Sequence, residues 1–189
     1  TSANIPVVYA VEEETASQRT ANVDKALDDL CNALDAISRQ DSYDEKLILL
    51  SHIPLLIQLL CHGPLTRKAK AAWIVTRLPV DFYDQLAHNG AIPALVALLS
   101  YTVQSQASQG AAVALGRMAF QSEHRTELIA AADGVEPLIH LVRSSAADSV
   151  FAPALECMKN SSARLHAEIE RMEKQIALDV ANTLCLMQE

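Results

Sequence analysis

The residue types able to do covalent or metal chemistry are spread thinly along this chain. Its 4 cysteines, Cys31, Cys61, Cys157 and Cys185, are separated by 30, 96 and 28 residues. Zinc ribbons and dithiol redox sites need close cysteine pairs, so neither is supported. Each cysteine lies among Leu, Ala or Met, the surroundings of a small buried thiol. Reduced thiols favour the cytoplasm, with nucleus or organelle interior as alternatives. His124 and Glu127 stand three apart and read as a solvated helix face. His88, just before Asn89-Gly90, reads as a helix C-terminal residue favoured by the dipole, and His140 reads as a packing residue on an apolar face. The sequence contains no glycine-rich phosphate loop, nucleophile elbow or two-histidine zinc helix. No nucleophile, base and orienter are grouped, so no catalytic residue, metal or cofactor is expected.

What the chain does carry is apolar periodicity. It has 189 residues, a net charge of −8, and 50% hydrophobic but only 4% aromatic residues. That composition supports a folded core and disfavours an all-β sandwich or a basic nucleic-acid binder. No apolar run approaches the roughly 18 residues of a membrane span, so no membrane insertion is expected. The first residue is Thr1, so the chain is expected to be processed or trimmed before it.

Two markers recur with one period. Ile53-Pro54-Leu55-Leu56, Ile92-Pro93-Ala94-Leu95 and Glu136-Pro137-Leu138-Ile139 place their prolines 39 and 44 residues apart, the last two just after Gly90 and Gly134. Glycine in the left-handed conformation ends one helix, and proline fits the first turn of the next. About 20 residues later come Ala71-Ala72-Trp73-Ile74-Val75-Thr76-Arg77-Leu78, Ala111-Ala112-Val113-Ala114-Leu115-Gly116-Arg117-Met118 and a weaker copy at Pro153-Ala154-Leu155. Each unit then holds a short first helix, a second starting near the proline and a longer third. First helices are expected over 43–51, 81–89 and 123–132, and third helices over 17–38, 65–79, 104–120 and 146–160.

This pattern resembles the armadillo repeat, with Asn89-Gly90-Ala91-Ile92-Pro93-Ala94-Leu95-Val96 its most recognisable stretch. Ala71-Ala72-Trp73 followed by Arg77 is similar to the third helix of importin-alpha and beta-catenin repeats. The resemblance covers about 24–160. Ser51 replaces the glycine of the first unit, Glu136 precedes Pro137, and Pro153 lies inside the last third helix. The fold expected is all-α: a right-handed armadillo-like superhelical solenoid of about three repeats with flanking capping helices. Residues 1–16 form an acidic and apolar tail, 17–160 the repeat domain, and 161–189 a long amphipathic helix that caps the stack or docks elsewhere.

The resemblance implies a concave groove lined by the third helices. Importin-alpha repeats hold basic peptides there with Trp and Asn four residues apart. Here Trp73 matches the Trp, but Arg77 stands at the Asn, and Val113 and Arg117 occupy the two places in the next unit. Residues 1–45 carry a net charge of −7, whereas 46–120 carry +4. Lys70, Trp73, Arg77, Val113 and Arg117 are therefore the candidate groove, suited to an acidic extended segment, closer to the beta-catenin mode. Trp73 contacts that segment, supports Arg77 or belongs mainly to the core, and Arg77 and Arg117 either serve the groove or are ordinary solvated residues. The function expected is a non-enzymatic protein-binding module. The alternative is a structural subunit docking through the N-terminal tail or through 162–188, including as a homo- or hetero-oligomer.

Overall fold

A computed structural model describes residues 16–37, 43–102, 104–144 and 151–186. All regular structure among them is helical: α1 (Ala16–Ile37), α2 (Tyr43–His62), α3 (Leu65–Arg77), a 3-10 turn (Val80–Phe82), α4 (Tyr83–His88), α5 (Ala91–Leu98), α6 (Gln106–Ala119), α7 (Glu123–Ala131), α8 (Val135–Ser144), α9 (Phe151–Ser161) and α10 (Ala163–Leu186). The tail of 1–15 and residues 146–150 of the expected fourth third helix lie outside the described residues.

The inner row is α3 against α6 and α6 against α9, with α2, α5 and α8 packed behind their respective partners. Small residues let this row close up. Ala71, Ala72, Ala111, Ala112 and Ala114 are fully buried, and a Cβ on Gly116 would lie 2.8 Å from the Ala154 Cα of α9. Hydrogen bonds between units repeat at a nearly constant offset. Arg117 Nη1 donates to Thr76 O at 2.6 Å, Arg125 Nη1 to Asp84 Oδ1 at 2.8 Å and Ser161 Oγ to Ala119 O at 2.7 Å, over 41, 41 and 42 residues.

Two turn expectations are corrected. The separate first helix over 43–51 and the second helix after it are one helix, α2, with Pro54 inside it. Ser51 offers no easy left-handed residue, so the chain has nothing to break on. At the next boundary Gly90 does take the left-handed conformation, with φ 83°. At the third, the left-handed residue is Asp133, φ 58°, not Gly134. Gly134 serves close approach instead: a Cβ there would meet Ile129 Cγ2 at 2.8 Å and Val96 Cγ2 at 2.9 Å. Pro153 falls in the first turn of α9, where a missing N–H leaves no helical bond unmade.

The flanks divide. In α1, Leu27 and Leu30 are buried and Val23 packs against the core; the side chains of Leu34 and Ile37 are outside the described set. In α10, Ser162 caps the N-terminus by accepting from Leu165 N, and Leu165 and Ile169 are buried. Met172 and Ile176 are half-buried, whereas Leu178 and Val180 are exposed. The first half of α10 thus covers the last unit. Lys159 of α9 clamps it there, donating to Glu173 at 3.1 Å, while Arg143 of α8 donates to Glu173 O at the same distance. Burial opposes the Lys159 charge, but Glu173 and Glu156 outweigh it and hold the ammonium above its ordinary value.

Candidate functional site

α3 supplies most of the candidate groove because its sequence, LTRKAKAAWIVTR, contains four cations and no carboxylate. Leu78 adopts an extended conformation before Pro79, which ends the helix. Lys70, Trp73 and Arg77 are spaced by three and four and share one exposed face. α6 lies alongside with Arg117 exposed and Val113 half-buried. Arg117 reaches the end of α3 at Thr76 O and Trp73 meets α6 at Gly110, so the candidate residues lie on two helices in direct contact.

Their roles differ. Trp73 is 39% exposed, and a Cβ on Gly110 would lie 3.2 Å from its Cδ1 and Nε1. The indole rests on the bare backbone of α6 as a shelf and is not buried in the core. Arg117 is already engaged. Its donation to Thr76 O satisfies an orphan carbonyl at the end of α3, where a cation also meets the negative end of the dipole. Arg117 also acts on the Tyr83 hydroxyl. Burial pushes that phenol up, and Arg117 and Arg125 pull it partly back.

The basic character stops at α9. The positions equivalent to Trp73 and Arg77 are Pro153 and Cys157, beside exposed Glu156. Burial, and then Glu156, push the Cys157 thiol up, so it stays protonated and unreactive at neutral pH. At the other end, Arg67 forms a bidentate pair with Asp24 of α1, both bonds 3.0 Å, and donates to Thr20 O at 3.2 Å. The Arg67 hydrogen bond holds the Asp24 carboxyl below its ordinary value.

Two further sequence readings are corrected. His140 is 60% exposed and faces Glu136 at 3.9 Å, not the core. Residue 140 is five positions after buried Val135, and at about 100° per residue that carries it across the helix. Cys61 is exposed rather than buried, since it is one step beyond the stripe Ile53, Leu56, Leu60. The side chains of Cys31 and Cys185 are outside the described set. His88 does end α4, and His124 and Glu127 are exposed.

Sequence reasoning missed Arg125. It is 6% exposed, donates to Met118 O at 2.5 Å, Asp84 Oδ1 at 2.8 Å and Phe120 O at 3.5 Å, and lies 5.8 Å from the Tyr83 ring centre. The available signal was its 41-residue separation from Asp84, the offset of the other bonds between units. Also unforeseen is a cleft of about 440 Å³ where α10 crosses the α7–α8 turn, lined by Glu127, Asp133, Glu136, Glu168 and Arg164 over Leu165. Among the described residues no group of three or more His, Cys, Asp or Glu is placed to hold a metal ion. No described helix is long and apolar enough to cross a membrane.

No family model and no curated protein match the chain. Solved structures do. An engineered protein from the Northeast Structural Genomics Consortium superposes with a TM-score of 0.60 at 22% identity, over 69% of this chain and 33% of its own. A second engineered protein from the same consortium gives 0.56 at 24% identity, over 63% and 51%. The chain thus spans about a half or less of these structures. At such identities the likeness is one of fold: a helical architecture shared with engineered proteins.

Proposed function

We propose that the chain is an armadillo-like solenoid that serves as a non-enzymatic protein-binding module, holding an acidic extended segment across α3 and α6. The observation that carries this is the exposed row Lys70, Trp73 and Arg77 beside Val113 and Arg117, with Trp73 seated on Gly110. An exposed indole flanked by cations offers stacking area and charge together, in a chain that is otherwise acidic. The right-handed superhelix and the groove are the geometry this reading requires. The constant offset of the bonds between units supports it. An exposed, unpaired Cys61 suits a reducing compartment, and the reading places the module in the cytoplasm.

Trp73 is the only tryptophan, so its emission reports the groove directly. Titration with a Glu/Asp-rich peptide at low salt is expected to shift that emission, and Lys70→Glu to remove the shift. A peptide that binds equally well to Lys70→Glu, or leaves Trp73 unmoved, refutes the groove. A second reading, a structural subunit docking through α10, is favoured by exposed Leu178 and Val180 on its distal half. Sedimentation of the whole chain tests it: self-association lost on Leu178→Lys and Val180→Lys would support it, and a monomer at all concentrations would remove its homo-oligomeric form.

A further inference from the structure

The turns after α3 and α6 each place an apolar side chain three residues beyond a groove arginine. Arg77 is followed three residues later by Val80, and Arg117 by Phe120, the two pairs 40 residues apart. Val80 is 60% exposed and Phe120 53%, more than any other described large apolar side chain outside α10. Both are held firmly. Phe120 N donates to Gly116 O at 3.0 Å, Phe120 O accepts from buried Arg125, and Gln121 reverses the chain with φ 55°. Val80 opens the 3-10 turn closed by Phe82 N donating to Pro79 O at 3.1 Å, with Phe82 itself buried. Tyr83, next along the chain after Phe82, is 2% exposed, with the Arg125 guanidinium 5.8 Å from its ring centre. Arg125 thus ties the Phe120 turn to the segment that follows Val80, and the two apolar side chains lose little freedom on binding.

Charge is sorted on either side of this pair. The helices before these turns, α3 and α6, carry exposed Arg77 and Arg117; the segments after them carry exposed Asp81, Asp84 and Glu123, with Asp84 still 64% exposed despite its bond to Arg125. We propose that this ridge is a second docking surface, beside the groove and sharing Arg77 and Arg117 with it, and that its occupant is an amphipathic helix of a partner protein. The helix lays its apolar stripe on Val80 and Phe120, its carboxylates over the arginines, and its Lys or Arg residues over Asp81, Asp84 and Glu123. Charge complementarity selects a helix over an extended strand. A strand presents side chains only towards and away from the ridge, whereas a helix offers a stripe with a charged flank on each side. Packed helices lie about 8–10 Å apart, so the two knobs suit stripe residues about seven positions apart along a helix rising about 1.5 Å per residue.

The test is selection from a library of stapled helical peptides on the whole chain, with counter-selection on the Val80→Ser, Phe120→Ser double variant. Both sites are exposed, and an unchanged circular dichroism spectrum and melting temperature confirm that the variant is folded. Enriched sequences should share an apolar stripe with acids on one flank and bases on the other. By fluorescence anisotropy each serine substitution should weaken such a peptide about tenfold, and Trp73→Phe should leave it unchanged. Exchanging the acidic and basic flanks should abolish binding. Enrichment that ignores the serine substitutions, enriched sequences without helical period, equal binding of the exchanged peptide, or no enrichment overturns the proposal. Loss of binding in Trp73→Phe also overturns it and moves the peptide to the groove, so the two surfaces fail separately.

Discussion

Two glycines on α6 should respond unequally to the same substitution. Gly110 and Gly116 are both interior helical positions, so replacement by alanine gains about 1 kcal/mol of helix propensity at each. At Gly116 the new Cβ would lie 2.8 Å from Ala154 Cα and 3.0 Å from Ala154 Cβ, against a comfortable carbon–carbon separation of about 3.5–4.0 Å. The obstacle is backbone, so α9 must retreat by about 0.7 Å or more. Phe151, Leu155 and Met158 of α9 are buried and retreat with it, and a gap of that size forfeits about a quarter to a half of each contact. Overpacking of this kind costs about 1–3 kcal/mol, or more where several contacts open together, which outweighs the propensity gain. Gly116→Ala should therefore destabilise by about 1–2 kcal/mol, or about 2–8 °C in Tm at this chain length. At Gly110 the obstacles are the Trp73 side chain at 3.2 Å, which is 39% exposed and can swing outwards, and the buried Ala72 Cβ at 3.3 Å, which needs α3 to give by a few tenths of an ångström. The propensity gain and the Ala72 contact offset each other, so Gly110→Ala should lie within about 1 kcal/mol of the parent and above Gly116→Ala, with a changed Trp73 emission. Urea unfolding of the two variants, followed by circular dichroism and by tryptophan fluorescence, measures both effects. A Gly116→Ala protein as stable as the parent, or a Gly110→Ala protein less stable than Gly116→Ala, would refute the close approach of α6 and α9.

Other consequences can be measured on the same footing. Arg125→Met strips the cap from Met118 O and Phe120 O and should cost about 3 kcal/mol by urea unfolding; Arg125→Lys should not rescue it, because an ammonium cannot span those acceptors and Asp84. Asp24 has its folded-state pKa depressed by Arg67, so its contribution is present above the ordinary carboxylate pKa and is lost as pH falls through the depressed value. The stability of Asp24→Asn should accordingly fall less steeply on acidification than the parent's. Lys159 is raised above its ordinary value of 10.5, so its contribution is complete below that value and is lost as pH rises through the raised one. Alkaline unfolding should therefore begin earlier in the parent, relative to its neutral-pH stability, than in Lys159→Met, read by circular dichroism from pH 9 upward.

The all-helical class, the boundaries of α3, α6 and α7, and the left-handed Gly90 were legible because each has a local cause: an apolar stripe, a run of alanines, a glycine before a proline. What was not legible depends on neighbours in space. Asp133, not Gly134, takes the left-handed conformation, because Gly134 is needed bare against Ile129 and Val96, a contact from another unit. The continuity of α2 could be suspected from Ser51 alone, but a proline at position 54 argued equally for a break. His140 and Cys61 were misread because a segment apolar on average was treated as apolar all round, and helical rotation separates adjacent residues by about 100°. Arg125 reads as an ordinary surface cation until its carbonyl acceptors, 5 and 7 residues away along the chain, are seen to converge on it.

Arg117 shows how this affects any test of binding. Read from sequence, Arg77→Glu with Arg117→Glu is a charge reversal in a groove that should abolish capture and leave helicity intact. In the fold, Arg117 also supplies the cation at the end of α3 and bonds Thr76 O across 41 residues. Glutamate there removes the cap and sets a carboxylate against the negative end of the helix, each worth about 0.5–2 kcal/mol. Lost binding in that variant would follow from a displaced α3 as readily as from a lost ligand contact. Lys70 and Trp73 lie on the exposed face of the same helix, away from its C-terminal carbonyls. Replacing them tests the groove while keeping the join between units. If Lys70→Glu and Trp73→Ala bind as the parent does and only Arg117→Glu fails, the arginine is a structural cap and the groove is not the binding surface.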